Sequence, residues 1–163
     1  MGPTWFVDPL DGTTNFLHGL PHWAVSIALE HKGQVVAGVV YDPSKDELFF
    51  AEKGAGAWMN ESRLRVSGRT RMIESVFATG LPFGGRADLP ETLQDLARLM
   101  PTCAGVRRWG AASLDLAYVA AICVRSITWL YSICIVSLCS TLFALYHFAV
   151  LYLHCITWQY SIC

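Results

Sequence analysis

Apolar positions along the first three quarters of the chain follow two rhythms. Trp23–His31 (WAVSIALEH) and Gln34–Tyr41 (QVVAGVVY) are apolar, β-branched runs joined by Lys32-Gly33, which predicts a hairpin. Upstream, Trp5, Phe6 and Val7 read as the end of a buried strand, which Pro9 and Gly12 stop with a tight turn. Downstream, Asp42-Pro43-Ser44-Lys45 reads as a turn and Glu47–Glu52 (ELFFAE) as a third strand. Gly54-Ala55-Gly56 invites a nucleotide-loop reading. It lacks a third glycine and a following helix, so a strand bend is preferred, leading to Asn60 and a short strand over Arg63–Ser67. Ile73–Thr79 predicts another strand. A rhythm of three and four follows: Leu93, Leu96, Ala97 and Met100 predict a helix over Pro90–Met100, with Pro90 and Glu91 in its first turn. Cys103–Arg108 reads as a strand and Ala111–Ala121 as a second helix opening after Gly110.

Past Ala121 both rhythms vanish. Residues 126–163 contain no Asp, Glu, Lys or Arg, and five of the six cysteines lie from Cys123 onward. Ser126-Ile-Thr-Trp-Leu-Tyr-Ser-Ile-Cys134 recurs as Cys155-Ile-Thr-Trp-Gln-Tyr-Ser-Ile-Cys163. Three readings compete for this stretch. It exceeds the roughly 20 residues that span a bilayer, and Arg125 and the two tryptophans would suit interfaces. No loop divides it into two spans, however, and its polar residues show no clean face. A buried core element fits poorly at this length. The repeat, the Cys, Ile and Tyr richness and the break in mid-helix favour a third origin, repetitive DNA translated in a shifted frame. Residues 1–121 and 122–163 are therefore expected to be separate units, the second an apolar repetitive tail and an aggregation hazard.

The whole-chain charge of −1 and the absence of a basic face argue against a nucleic-acid partner. With only Cys103 in the first piece and no secretory signal, that piece is expected to be a reduced, cytoplasmic protein, with membrane association arising only through 126–163. Met1-Gly2-Pro3-Thr4 runs straight into a motif, which leads us to expect an N-terminally shortened chain.

That motif is Trp5-Phe-Val-Asp8-Pro-Leu-Asp11-Gly12-Thr13-Thr14-Asn15-Phe-Leu-His18-Gly. Asp8 and Asp11 lie three residues apart at a strand-to-helix turn and can point at one centre. Two like charges held that close raise each other's pKa unless something positive sits between them. Hard oxygen donors favour Mg²⁺ or Mn²⁺ over Zn²⁺. A helix starting at Gly12-Thr13 would add an anion site beside the metal, and the pair reads as phosphate chemistry. Asp beside Pro and Gly also serves simply to cap and turn a chain. His18 and His22 lack a matching third nitrogen or sulfur ligand and read as turn or packing residues, while Asp115, inside the second helix, reads as structural.

The stretch W-F-V-D-P-L-D-G-T-T-N-F-L-H-G-L-P-H-W-A-V-S-I-A-L closely resembles the first signature of the inositol monophosphatase family. Phe49-Phe50-Ala-Glu with its glycines, Asn60 and Leu64-Arg-Val-Ser is similar to the family's antiparallel sheet. Arg107-Arg108-Trp109-Gly110-Ala111-Ala112-Ser113-Leu114-Asp115 resembles its substrate-side segment. The resemblance covers about residues 4–121 and stops at Ala121. It implies an α/β fold, more fully an α+β layered sandwich of the inositol monophosphatase and sugar phosphatase type, here incomplete. It also implies a homodimer in the intact family that hydrolyses small phosphate monoesters, foremost myo-inositol monophosphate, with Mg²⁺ and under Li⁺ inhibition. Carried over by position, Asp8 would bridge two metals, the Leu10 carbonyl would bind one and Asp11 the other. Gly12 and Thr13 would contact phosphate, Thr13 would orient the attacking water, and Arg107, Gly110, Ala111 and Ala112 would face the substrate. Without the resemblance, Arg107 reads equally well as a solvated charge at a strand end.

The family's upstream metal-binding Glu and its late Trp-Asp pair are both missing, and no Trp-Asp occurs in the chain. A catalytically dead, truncated member, membrane-associated through its tail, is therefore the alternative to an active phosphatase.

Overall fold

The computed structural model describes residues 2–65, 71–80, 89–122, 124–130 and 133–136, the last two segments and Ile122 by their backbone only. The early apolar runs form an antiparallel meander in which each strand pairs with the next. Its strands are β1 (Thr4–Asp11), β2 (Ala24–His31), β3 (Gln34–Asp42), β4 (Glu47–Glu52), β5 (Gly56–Met59) and β6 (Ser62–Arg63). Lys32 and Gly33 both have positive φ (53° and 73°), the backbone of the tight hairpin turn whose twist matches its strands. The glycines at 54 and 56 turn the chain between β4 and β5 with φ of 85° and 124°, as a bend rather than a nucleotide loop. The predicted strand over Arg63–Ser67 is seen only as β6; residues 66 and 67 lie outside the described residues.

A second sheet holds β7 (Val76–Gly80), β8 (Gly105–Arg107), β9 (Val124–Leu130) and β10 (Ile133–Val136) in the order β10-β9-β7-β8. Strand β7 is parallel to both neighbours, while β9 and β10 form an antiparallel pair. Ile73, predicted in a strand, instead belongs to a 3₁₀ turn over Met72–Glu74, and Ser75 N–H closes it on the Met72 carbonyl at 2.9 Å. Helix α1 is short (Thr13–Leu17), and α2 spans Leu89–Leu99.

Helix α3 (Ala112–Ile122) joins the two sheets. Its sequence is apolar all round, which demands burial on more than one side. Leu114 and Ala117 rest with Ala111 against Ala24, Val40 and Phe49 of the meander, while Val119 and Ala120 meet Ala78 of the second sheet. Strand β9, from the stretch whose pattern fitted no element, lies parallel to β7 from Val124 to Thr128. Residues 133–136 form β10, and residues 131, 132 and 137–163 lie outside the described residues. Among the described residues no helix is long and apolar enough to cross a membrane.

The burial expected of β1 is not observed. Trp5 is 63% and Val7 51% exposed, because β1 is the edge of the meander and its alternate side chains point away from α3. Pro9 does not end the strand either. It sits in a bulge near the end of β1, where an edge strand tolerates a missing N–H.

Candidate active site

That bulge sets the geometry of the motif. Residues three apart on a regular strand face opposite sides of a sheet. Here Asp8 pairs with Ser26 and Asp11 with Ala24, so Pro9 and Leu10 together oppose Val25. Ser26 and Ala24 are both buried on the face toward α3, and the extra residue therefore turns both carboxylates to that same face. The chain then swings through Gly12, at φ 82°, into α1. A Cβ on Gly12 would stand 3.1 Å from the His22 carbonyl oxygen and 3.2 Å from Ala111 Cβ, so the turn is sealed against two other segments.

Local hydrogen bonds fix the donors. Leu10 N–H donates to Asp8 Oδ1 at 3.0 Å, and Thr13 Oγ1 donates to the Leu10 carbonyl at 2.9 Å. With its hydrogen committed there, Thr13 Oγ1 presents lone pairs outward, and Thr13 itself is exposed. Asp11 reaches across the fold: its Oδ2 accepts Ser113 N–H at 2.7 Å and also the Ser113 hydroxyl. Ala111 precedes α3 and offers no side-chain oxygen, so Asp11 caps the helix from a distant segment. The first-turn carbonyl of Ala111 accepts Asp115 N–H at 3.1 Å.

Burial and neighbouring carboxylates dominate the electrostatics of Asp11 and Asp115. Burial raises the Asp11 pKa, the Asp8 charge adds to it, and the Ser113 and Gly12 donors only partly oppose. Asp115 is 7% exposed and its Oδ1 has no hydrogen-bond partner among the described residues; burial first, then the Asp11 charge, push its pKa up to about 7. Among the described residues the charged groups acting on Asp11 and Asp115 are thus other carboxylates. Two carboxylates turned to one face, with the Leu10 carbonyl between them in sequence, are hard oxygen donors of the kind that fits a divalent cation. Among the described residues no group of three or more His, Cys, Asp or Glu side chains comes together as a metal site.

The segment around Trp109 and Gly110 is tied to the motif by Asn15. This buried side chain donates Nδ2–H to the His22 carbonyl at 2.8 Å and to the Trp109 carbonyl at 2.7 Å. Gly110 follows with φ 87°, and a Cβ there would lie 3.1 Å from Asn15 Nδ2. Ala111 is fully buried beside Gly12, whereas Gly110 and Ala112 are exposed. Arg107 is not drawn into this cluster. It is exposed on β8 and folds back to donate to the Val106 carbonyl at 3.0 Å. His18 bonds the Thr14 carbonyl at 2.8 Å through Nδ1, and His22 lies 6.0 Å from the Trp109 ring, both local packing positions.

The model of the inositol monophosphatase family matches residues 1–128. The chain belongs to the inositol monophosphatase family. The match runs past Ala121, through the part of β9 that pairs with β7. An inositol-1-monophosphatase of Mesorhizobium japonicum is 57% identical over 117 residues, which are 72% of this chain and 44% of that relative. The crystal structure of extragenic suppressor protein suhB from Bartonella henselae superposes with a TM-score of 0.70 at 54% identity, over 74% of this chain and 46% of that one. The structure of SaIMPase-II with inositol monophosphate bound has a TM-score of 0.63 at 28% identity, covering 76% of this chain and 48% of its own. The chain thus spans under half the length of these relatives, and the shared fold is the layered α and β arrangement described above.

Ser113 and Asn15 are the site neighbours that sequence reasoning did not assign, and Asp115, read from the sequence as structural, lies beside them. Ser113 carried one usable signal: a helix opening on Gly-Ala-Ala has no capping side chain of its own, so its amides need an acceptor from elsewhere. Asn15 carried none, because its partners are backbone carbonyls at a separation of up to 94 residues.

Proposed function

We propose that the chain carries the metal-holding and phosphate-facing part of a Mg²⁺-dependent phosphate monoesterase, with myo-inositol monophosphate as its substrate. The observation that carries this reading is the β1 bulge, which turns Asp8 and Asp11 to one face while α3 holds Asp11. In this reading Asp8, the Leu10 carbonyl and Asp11 are the groups that would hold Mg²⁺. The Leu10 oxygen can serve while still accepting the Thr13 hydroxyl, since a carbonyl has two lone pairs. Mg²⁺ bound there would neutralise phosphoryl charge and make water more acidic. Thr13 Oγ1, its own hydrogen held by Leu10, accepts a hydrogen from the attacking water and so aims it. Gly12 and Thr13 would face the phosphate and Gly110 and Ala112 the ester side, with Ala111, buried beside Gly12, supporting them from behind. Arg107 must leave its bond to Val106 to join them. Li⁺ inhibition and a homodimer belong to the same reading.

The test is phosphate release from myo-inositol monophosphate across a Mg²⁺ titration, for the full chain and Asp11→Asn. Release that rises with Mg²⁺ and falls at least a hundredfold in Asp11→Asn is expected, the loss typical of removing a group from a catalytic unit. Release untouched by the substitution sinks the proposal.

A second reading has its own support. Among the described residues no third acidic or histidine ligand joins Asp8 and Asp11. On that reading the chain binds Mg²⁺ without turning over, and the same assay returns no phosphate at any Mg²⁺ concentration.

A further inference from the structure

The metal reading assigns no role to Ser113, a polar group beside the motif. Ser113 is fully buried, lies at the start of α3, and gives both its N–H and its hydroxyl to one oxygen of Asp11. A backbone N–H alone would have capped the helix. The second donor, on the same Oδ2, adds direction: two donors converging from one residue fix the rotation of the carboxylate and mark that oxygen as the protein's own. The segment delivering Ser113 is itself immobilised. Asn15 Nδ2 holds the Trp109 carbonyl at 2.7 Å, Gly110 turns at φ 87° against the Asn15 amide, and Ala111 fills the space beside Gly12.

We infer that Ser113 is a positioning residue for the metal site: its hydroxyl pins Asp11 Oδ2 and thereby aims the Asp11 carboxylate at the cation. This inference rests on the metal-binding reading above. Partners of this kind commonly account for ten- to a hundredfold in metal affinity, because an unheld carboxylate must be ordered each time the ion binds. Ser113→Ala keeps the N–H cap and the volume of the backbone but loses the pin. Ser113→Thr keeps the pin.

The experiment is Mn²⁺ binding to the full chain by isothermal titration calorimetry, with Asp11→Asn, Ser113→Ala and Ser113→Thr as variants. Thermal unfolding of each metal-free variant is measured beside it. Ser113→Ala is expected to bind Mn²⁺ about tenfold more weakly at a melting temperature close to the unsubstituted chain, and Ser113→Thr to restore most of the affinity. A purely structural serine would move the melting temperature and leave the affinity of the folded protein alone. If Asp11→Asn abolishes binding while Ser113→Ala binds as the unsubstituted chain does, the positioning role is overturned and the metal site stands. Should the unsubstituted chain bind no Mn²⁺, or Asp11→Asn bind it undiminished, the metal site and the role of Ser113 fall together. Where Ser113→Ala does not fold, Ser113→Thr decides: normal affinity supports the pin, and a tenfold loss in a folded Thr variant overturns it.

Discussion

Replacing Asn15 tests whether the two halves of the site are held together by one amide. Asn15 is 8% exposed, and its Nδ2 donates to His22 O at 2.8 Å and to Trp109 O at 2.7 Å. Asn15→Ala removes both donors and leaves two half-buried carbonyls to find water. Each lost bond costs about 1 kcal/mol net, and an acceptor that stays dry costs up to ~3 kcal/mol, so a loss of about 2–4 kcal/mol is expected. Asn15→Asp is the sharper substitution. It has the same shape, yet it puts a carboxylate oxygen where the donor stood, so a negative group faces two carbonyl oxygens. If packing were what matters at this position, Asp would be the milder change. If the amide donor matters, Asp is the worse one at neutral pH, and it recovers as acid protonates it and returns one donor.

Urea unfolding read by tryptophan fluorescence gives the comparison, since Trp109 is itself a partner of the amide. The slopes should agree among the three proteins, so that midpoints report stability. The expected order at pH 7 is unsubstituted chain, then Ala, then Asp. An Asp variant more stable than the Ala variant, or an Ala variant within about 0.5 kcal/mol of the unsubstituted chain, refutes the clamp, because that range is what surface substitutions show.

The remaining predictions concern charge and backbone. Burial and the Asp11 charge hold the Asp115 pKa at about 7, up from 3.8. Between those values the folded metal-free chain keeps a proton that the unfolded chain has released. Stability therefore falls as pH rises from about 4 through 7, and Asp115→Asn should reduce that slope in pH-dependent urea midpoints, leaving the part due to the raised Asp11. His22 acts with the opposite sign. Burial first, then Lys45, lower its pKa below 6.5, so the unfolded chain takes up the proton first and stability falls as pH drops below that value. His22→Gln should flatten this arm alone. Gly12→Ala and Gly33→Ala share the cost of a left-handed residue, about 1–2 kcal/mol, but a Cβ at Gly33 meets open space while one at Gly12 meets His22 O at 3.1 Å. Gly12→Ala should therefore lower the melting temperature further, and equal losses would show that the contact with His22 is not tight.

The meander was legible because its strands are local. Lys32-Gly33 names its own turn, and Ala24–His31 and Gln34–Asp42 need only each other to pair. The hydrophobic pattern also foretold α2 and α3 to within a residue or two. What it could not show was context. Trp5 and Val7 look like core by composition, and only the edge position of β1 exposes them. Pro9 looks like a strand terminator, and only its pairing partners reveal a bulge. The i, i+3 spacing of Asp8 and Asp11 suggested one shared centre, but a regular strand would have put them on opposite faces. The bulge is what makes the suggestion consistent. Strand β9 escaped the pattern because its stretch carries one charge, Arg125, and no clear periodicity, and its place is defined by parallel pairing to a strand far back in the chain.

The arrangement of Asp11 ties folding to the proposed chemistry. A carboxylate facing the first amides of an eleven-residue helix gains from the helix dipole and satisfies donors that would otherwise be buried without partners. The same carboxylate is strained by its burial and by Asp8. The cap favours the charged form and the neighbours oppose it, and neither effect is local in sequence, since Asp11 and Ser113 are 102 residues apart. A divalent cation would relieve the repulsion without disturbing the cap, because the cap occupies Oδ2 alone. Loading the site should therefore stabilise the docking of α3 on the meander as well as the motif itself. A chain in which α3 has not docked lacks the Ser113 donors and presents Asp11 as an unheld, solvated carboxylate. Metal binding and α3 docking are then coupled: whatever factor docking adds to metal affinity, bound metal adds to docking.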